Sequence, residues 1–181
     1  MELIPKIGIT GLPRVGKTEA LIKIAGRLEK DYVVGGMITK TIKENGERVG
    51  FKVVDWRKQE EKIFAHINLD SIHRSGRYNI DLKALEEVGV KAIEEAVDDE
   101  LVGIIIIDEV GKMELISKKF RKAVKDALDS DKPVLLTLHK KSRDSLLQDI
   151  RNMDNVRILE ITPINRNLLP YKIEKILKEN L

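Results

Sequence analysis

The chain has 181 residues, 42% of them hydrophobic, which is enough for one domain spanning 1–181 with a sizeable buried core. With no cysteine it can form no disulfide, thiol redox centre or thiolate metal site, and a net charge of +3 names no polymeric partner. Aromatic residues make up only 4%, with Trp56 the single tryptophan, so few platforms exist for stacking bases and no nucleic-acid partner is expected. No apolar run is long enough to span a bilayer, and Met1 to Pro5 leads into the first strand-like run without a secretory pattern. A monomeric, cytoplasmic protein is the expectation.

That first run, Lys6 to Thr10, passes directly into Gly11-Leu12-Pro13-Arg14-Val15-Gly16-Lys17-Thr18 and then into a helix-patterned stretch from Glu19 to Glu29. The pattern is G-x-x-x-x-G-K-T set between a strand and a helix, the context that a phosphate-binding loop requires. A polyphosphate needs several converging donors, and a loop wrapped around it offers backbone N–H groups that bulky side chains would block. Gly11 and Gly16 permit that approach. Lys17 is a mobile positive charge for the β- and γ-phosphates, and Thr18 offers a hydroxyl to Mg²⁺, both at the positive end of the next helix. Binding of a nucleoside triphosphate with Mg²⁺ follows.

Tyr32 to Ile42 and Arg48 to Trp56 read as two strands joined around Asn45-Gly46, a favoured hairpin turn. This antiparallel ribbon interrupts the βα alternation and is expected to lie outside the minimal parallel core. Lys58 to Ile80 is weakly patterned, but Arg74-Ser75-Gly76-Arg77-Tyr78 within it is a loop with two cations able to reach a phosphate. Helical periodicity runs from Leu82 to about Val97, from Lys118 to Leu128 and from Leu168 to Leu177, while Val134 to Leu138 and Val156 to Ile161 read as buried strands.

Between these elements lies the second anchor, Leu101-Val102-Gly103-Ile104-Ile105-Ile106-Ile107-Asp108-Glu109. An unbroken β-branched run of this kind is a strand buried on both faces, and it ends abruptly in two carboxylates, as a Walker B strand does. In an open parallel sheet the carboxyl ends of the strands share one crevice, so Asp108 would meet the phosphate loop and help Thr18 hold Mg²⁺. Glu109 is the better candidate for orienting or deprotonating the attacking water, because a carboxylate committed to Mg²⁺ is a poor base. It is also placed to cap the helix that follows. The architecture expected is a three-layer α/β sandwich of the P-loop type, with a mainly parallel central sheet, helices on both faces and an inserted antiparallel hairpin.

Asp108-Glu109-Val110-Gly111-Lys112-Met113-Glu114-Leu115 resembles the extended Walker B signature of the THEP-type, or cancer-related, nucleoside-triphosphatases. Arg74-Ser75-Gly76-Arg77-Tyr78 is similar to that family's R-x-G-x-Y element, and Thr162 with Asn165-Arg166 to its T-x-x-N-R element, and the similarity extends over nearly the whole chain. It implies Mg²⁺-dependent hydrolysis of several nucleoside triphosphates, with the nucleotide touched by Gly11 to Thr18 and by Ile104 to Gly111, and with Arg166 near the base. Lys112 is what the family pattern adds to a generic Walker B strand; its charge could neutralise a γ-phosphate, hold Glu109 in place, or simply meet solvent. Arg14 departs from the pattern, which usually offers a small residue there, and at positive φ it would cost on the order of 1 kcal/mol.

Two other functional classes share these motifs. A small-molecule kinase would use Arg74 and Arg77 as lid cations over a second substrate. A GTP-dependent switch is compatible with Asp108-Glu109-Val110-Gly111 read as D-x-x-G, but no N-K-x-D stretch is present to read guanine. His66, His73 and His139 lack zinc-ligand spacing.

Overall fold

The isoleucine run forms β7 (Ile104–Val110), and its alternate side chains divide the interior in two. Ile104 and Ile106 pack in one apolar cluster with α1 (Lys17–Leu28) and α6 (Leu169–Lys178); Ile105 and Ile107 pack in the other with α3 (Lys91–Asp98), α4 (Lys118–Asp129) and α5 (Ser145–Asn152). A strand that is apolar at every position is thereby satisfied on both faces, and helices cover each side of the sheet. The structure is a computed structural model that describes residues 3–179 and 181.

Beside β7 lie β8 (Val134–His139), then β1 (Lys6–Gly11), then β9 (Val156–Glu160), each pair parallel. On the other flank β7 pairs with β2 (Val34–Glu44), from which β3 (Glu47–Asp55), β4 (Glu61–His66), β6 (Tyr78–Ile80) and β5 (His73–Ser75) extend as an antiparallel wing. The parallel order 2-7-8-1-9 reverses direction at β1: α1 carries the chain one way to β2, while β9 is added on the opposite side. Ligands collect beyond the carboxyl ends of strands at such a reversal.

Two expectations need correction. The ribbon does not stand outside the parallel core, because Val34 to Met37 of β2 pair parallel with Ile104 to Ile107 before β2 continues into its antiparallel pairing with β3. The strand can lie that close because Gly36 adopts φ 116 with no side chain to meet Ile106. Lys58 to Ile80 is not featureless either. It supplies β4, β6 and β5, whose shortness and sparse core contribution (Phe64, Ala65 and Ile80) left little periodic signal.

The helices start where local chemistry allows. Asp81 accepts the Ala84 N–H at 3.0 Å at the head of α2 (Leu82–Ala84), which continues through a π-helical stretch, Leu85–Val90, into α3. Ser117 caps α4 by accepting from Phe120 N at 3.1 Å. Without clear periodicity in the sequence, α5 is nonetheless capped by Asp144, which accepts from Leu146 N at 2.9 Å, and Leu146, Leu147 and Ile150 share its buried face. No helix among the described residues is long and apolar enough to cross a membrane.

Replacing Gly36 by alanine would put a Cβ 2.0 Å from the Ile106 carbonyl oxygen. The Gly36→Ala chain is expected to lose more than about 3 kcal/mol of stability or to fail to fold. Urea unfolding measures this, and a loss below about 1 kcal/mol would mean that β2 can move off β7 freely.

Candidate active site

The phosphate loop leaves β1 at Gly11, where any side chain would stand 2.8 Å from Val15 Cγ1 and 2.9 Å from the Ile161 carbonyl oxygen, so the chain can turn here only without one. Val15 N donates to Leu12 O at 3.2 Å and closes the loop, and Gly16 at φ 114 delivers it into α1. Arg14 stands at φ 65, so the loop does hold a non-glycine residue in the left-handed region, at a cost on the order of 1 kcal/mol. Leu12, Pro13 and Arg14 are exposed, whereas Lys17 is buried.

The carboxyl end of β7 supplies Asp108, which is wholly buried. Three hydroxyls from three separate elements surround it. Thr18 Oγ1 of α1 and Thr137 Oγ1 of β8 donate to Oδ1 at 3.0 and 2.7 Å, and Thr39 Oγ1 of β2 donates to Oδ2 at 3.3 Å. Burial pushes the Asp108 carboxyl up to about 6, and Glu109 pushes the same way, while the threonine bonds hold it lower. Thr137 and Thr39 were not singled out from sequence. For Thr137 the available signal was a lone hydroxyl in the otherwise apolar run Val134 to Leu138; Thr39, in a strand with a second threonine and several charges, carried none.

Glu109 points differently. Its Oε2 lies 3.0 Å from Lys17 Nζ, which also donates to Leu138 O at 3.3 Å. A third carboxylate, Glu114, is buried within the short helical turn Glu114–Ile116. A Cβ built on Gly111 would stand 2.7 Å from Glu109 Oε1 and 2.9 Å from Glu114 Oε2, so the two acids flank one backbone position. Burial, reinforced by Glu109 and Asp108, holds the Glu114 carboxyl well above the ordinary glutamate value.

These groups open on a cavity of about 580 Å³ lined by Pro13, Arg14, Gly16, Lys17 and Thr18 of the loop, Thr39, Arg48 and Phe51 of the β2–β3 wall, and Glu109, Glu114 and His139. His139, which the sequence places at a strand end without zinc-ligand spacing, is thus at the site. Its Nδ1 is buried without a hydrogen-bond partner, and burial lowers its pKa.

Other sequence candidates lie elsewhere. Ile104, Ile105, Ile106 and Ile107 are fully buried in the sheet interior, where their packing places Asp108 and Glu109. Val110 and Gly111 are buried as well. Lys112 lines a separate cavity with Arg121 and Asp144. Arg166 lines a third, of about 360 Å³, with Arg14, Glu19 and Lys23 on the outer side of the loop. Arg74 is turned back onto Gly76 O at 3.1 Å, and Arg77 donates to Arg48 O.

A buried acid whose folded pKa is raised destabilises the fold increasingly as pH rises from its unfolded value, 4.5, toward the folded one. Glu114→Gln removes that titration while keeping the shape. The variant and the parent should be nearly equal in stability at about pH 4, and the variant should gain relative to the parent as pH rises through neutrality. Denaturant unfolding in chelator without nucleotide measures this, and parallel pH profiles would show that Glu114 is ionised in the fold.

The same fold and motifs occur in known proteins. The profile of the family described as NTPase matches residues 6–174. The nucleoside-triphosphatase THEP1 of Thermotoga sp. (strain RQ2) is 43% identical over 97% of both chains, and that of Thermoplasma acidophilum is 37% identical over 98% of both. Among solved structures, the crystal structure of THEP1 from the hyperthermophile Aquifex aeolicus is 34% identical with a TM-score of 0.85, covering 96% of this chain and 99% of that one. The solution structure of a human cancer-related nucleoside triphosphatase is 28% identical with a TM-score of 0.83, covering 98% and 99%. Similarity that spans the whole catalytic sheet at these identities makes the chain a member of the THEP1 nucleoside-triphosphatase family.

Proposed function

We propose that the chain hydrolyses nucleoside triphosphates to diphosphate and phosphate, with Mg²⁺ and with little selection among bases. The observation that carries this reading is the meeting of Lys17 and Glu109, 3.0 Å apart, at the mouth of a phosphate loop. A cation for the phosphates and a carboxylate for the water are the two things hydrolysis needs at one point.

In this reading the loop N–H groups and Lys17 hold the β- and γ-phosphates. The donor set beneath them, the Thr18 hydroxyl backed by the Asp108 carboxylate, is all oxygen, which suits a hard cation such as Mg²⁺. Bound there with the nucleotide, Mg²⁺ would supply positive charge to the phosphate oxygens. Because Asp108 is wholly enclosed, its part is to orient Thr18 and the ion's surroundings. As phosphates draw Lys17 toward themselves, Glu109 is released to align the water. The water oxygen then bonds to the γ-phosphorus, the bond to the bridging oxygen breaks and leaves with the diphosphate, and Glu109 takes the water's proton before passing it to solvent. Lys112 assists through its charge, which also bears on His139.

Arg166, in its cavity beside the loop, is assigned to the base side. The kinase alternative loses its distinguishing feature, since Arg77 is engaged by Arg48 and Arg74 by its own turn. A cytoplasmic monomer without a nucleic-acid partner completes the proposal.

The purified chain with Mg²⁺ should release phosphate from ATP, GTP, CTP and UTP with no acceptor present; product formation only when a nucleoside or nucleotide is added would make it a kinase. Glu109→Gln should lower kcat by about a hundredfold or more while leaving affinity for a non-hydrolysable analogue near the parent value. Turnover at the parent rate would remove Glu109 from the reaction.

A further inference from the structure

The geometry points to Arg48 as a further catalytic cation, a guanidinium presented from β3 to the terminal phosphate of the bound nucleotide. This rests on the hydrolase reading above and adds a group that neither the phosphate loop nor the Walker B strand contains.

Arg48 lines the same cavity as Lys17, Thr18, Glu109 and Glu114, from the opposite wall. It is half-buried, its guanidinium carbon lies 5.5 Å from the Phe51 ring centroid, and its Nε is buried with no hydrogen-bond partner. An arginine kept this way has one donor, Nε, already withdrawn from water and unspent on any described residue, a condition that favours interaction with developing negative charge. The other cations of the cavity differ. Lys17 is shared between Glu109 and Leu138 O, and Arg14 and Lys40 are exposed.

Its surroundings hold it in place. Arg77 and Tyr78 Oη both donate to the Arg48 carbonyl, the latter at 3.4 Å; Tyr78 meets Phe51 edge to face with ring centroids 5.2 Å apart; and the Arg77 guanidinium lies 5.3 Å from the Tyr78 ring. Opposite Arg48, the β2–β3 register shifts between Ile42 and Lys43, an irregularity of the kind that re-aims side chains beside active sites. The β5–β6 hairpin, which sequence alone suggested as a source of catalytic cations, therefore acts as a buttress for the one that faces the site. Arg48 makes and breaks no bond. Its part is to meet charge spreading over the γ-phosphoryl oxygens as the bond to the bridging oxygen breaks.

The test compares Arg48→Ala, Arg48→Met, which keeps an aliphatic stem on Phe51, and Arg48→Lys. Expected for all three is a fall in kcat of at least about a hundredfold, with KM for ATP and the Kd for Mg-ADP within about threefold of the parent. Lysine should rescue poorly because it lacks the planar fork. Guanidinium ion at tens of millimolar should restore part of the Arg48→Ala activity and none of the parent's. A folded Arg48→Ala or Arg48→Met chain with kcat within threefold of the parent would overturn the assignment, as would a loss of Mg-ADP affinity as large as the loss of kcat. If the parent itself releases no phosphate from any triphosphate, the hydrolase reading fails, and Arg48 with it; an active parent with an unimpaired variant removes Arg48 alone.

Discussion

A carboxylate with no exposure to water stands at the junction on which everything else is assembled. Asp108 follows four buried isoleucines within β7, so the packing of that strand drags an ionisable group out of solvent. Burying such a group is costly unless its oxygens are hydrogen-bonded. The donors come from Thr18 on α1, Thr137 on β8 and Thr39 on β2. One acid therefore ties the helix after the phosphate loop to the two strands that flank β7. Displacing any of those elements would leave a buried charge short of partners.

From that junction the working charges are sorted by exposure. Asp108 is enclosed, Glu114 is buried and held toward its neutral form, and Glu109 lies between the interior and the cavity, paired with Lys17. Three neighbouring acids in one open site would repel each other and compete for the same cation. Graded burial separates them, so that Glu109 is the most open of the three and serves as the partner for water or lysine.

The antiparallel wing is built onto the same sheet. Because β2 pairs with β7 through Met37 and with β3 beyond it, the wall bearing Arg48 and Phe51 is continuous with the strand bearing Asp108. Hydrogen-bonded strands carry position more faithfully than a loop does, and the wing can hold a side chain over the cavity without a separate domain. Gly36 makes the continuity possible, as its missing side chain is the space that the Ile106 carbonyl occupies.

Much of this was legible in the residues. The phosphate loop, the buried strand ending in Asp108-Glu109 and the helices with strong periodicity depend on spacing within a few residues, and local spacing is what a sequence displays. Asp144 before Leu146, Leu147 and Ile150 carried a readable signal for α5 that the surrounding polar residues obscured. The short strands of the wing had none, because Phe64, Ala65 and Ile80 are too few to show a period. Adjacent residues are enough to specify a triphosphate-binding loop and a strand ending in a pair of carboxylates, since strand, loop and helix each form locally. That Thr39, Thr137, Glu114, His139 and Arg48 join them is settled by the fold, because those side chains meet through strand pairing and crossovers that bring distant segments together, and no periodicity along the chain records which distant residues will share a site.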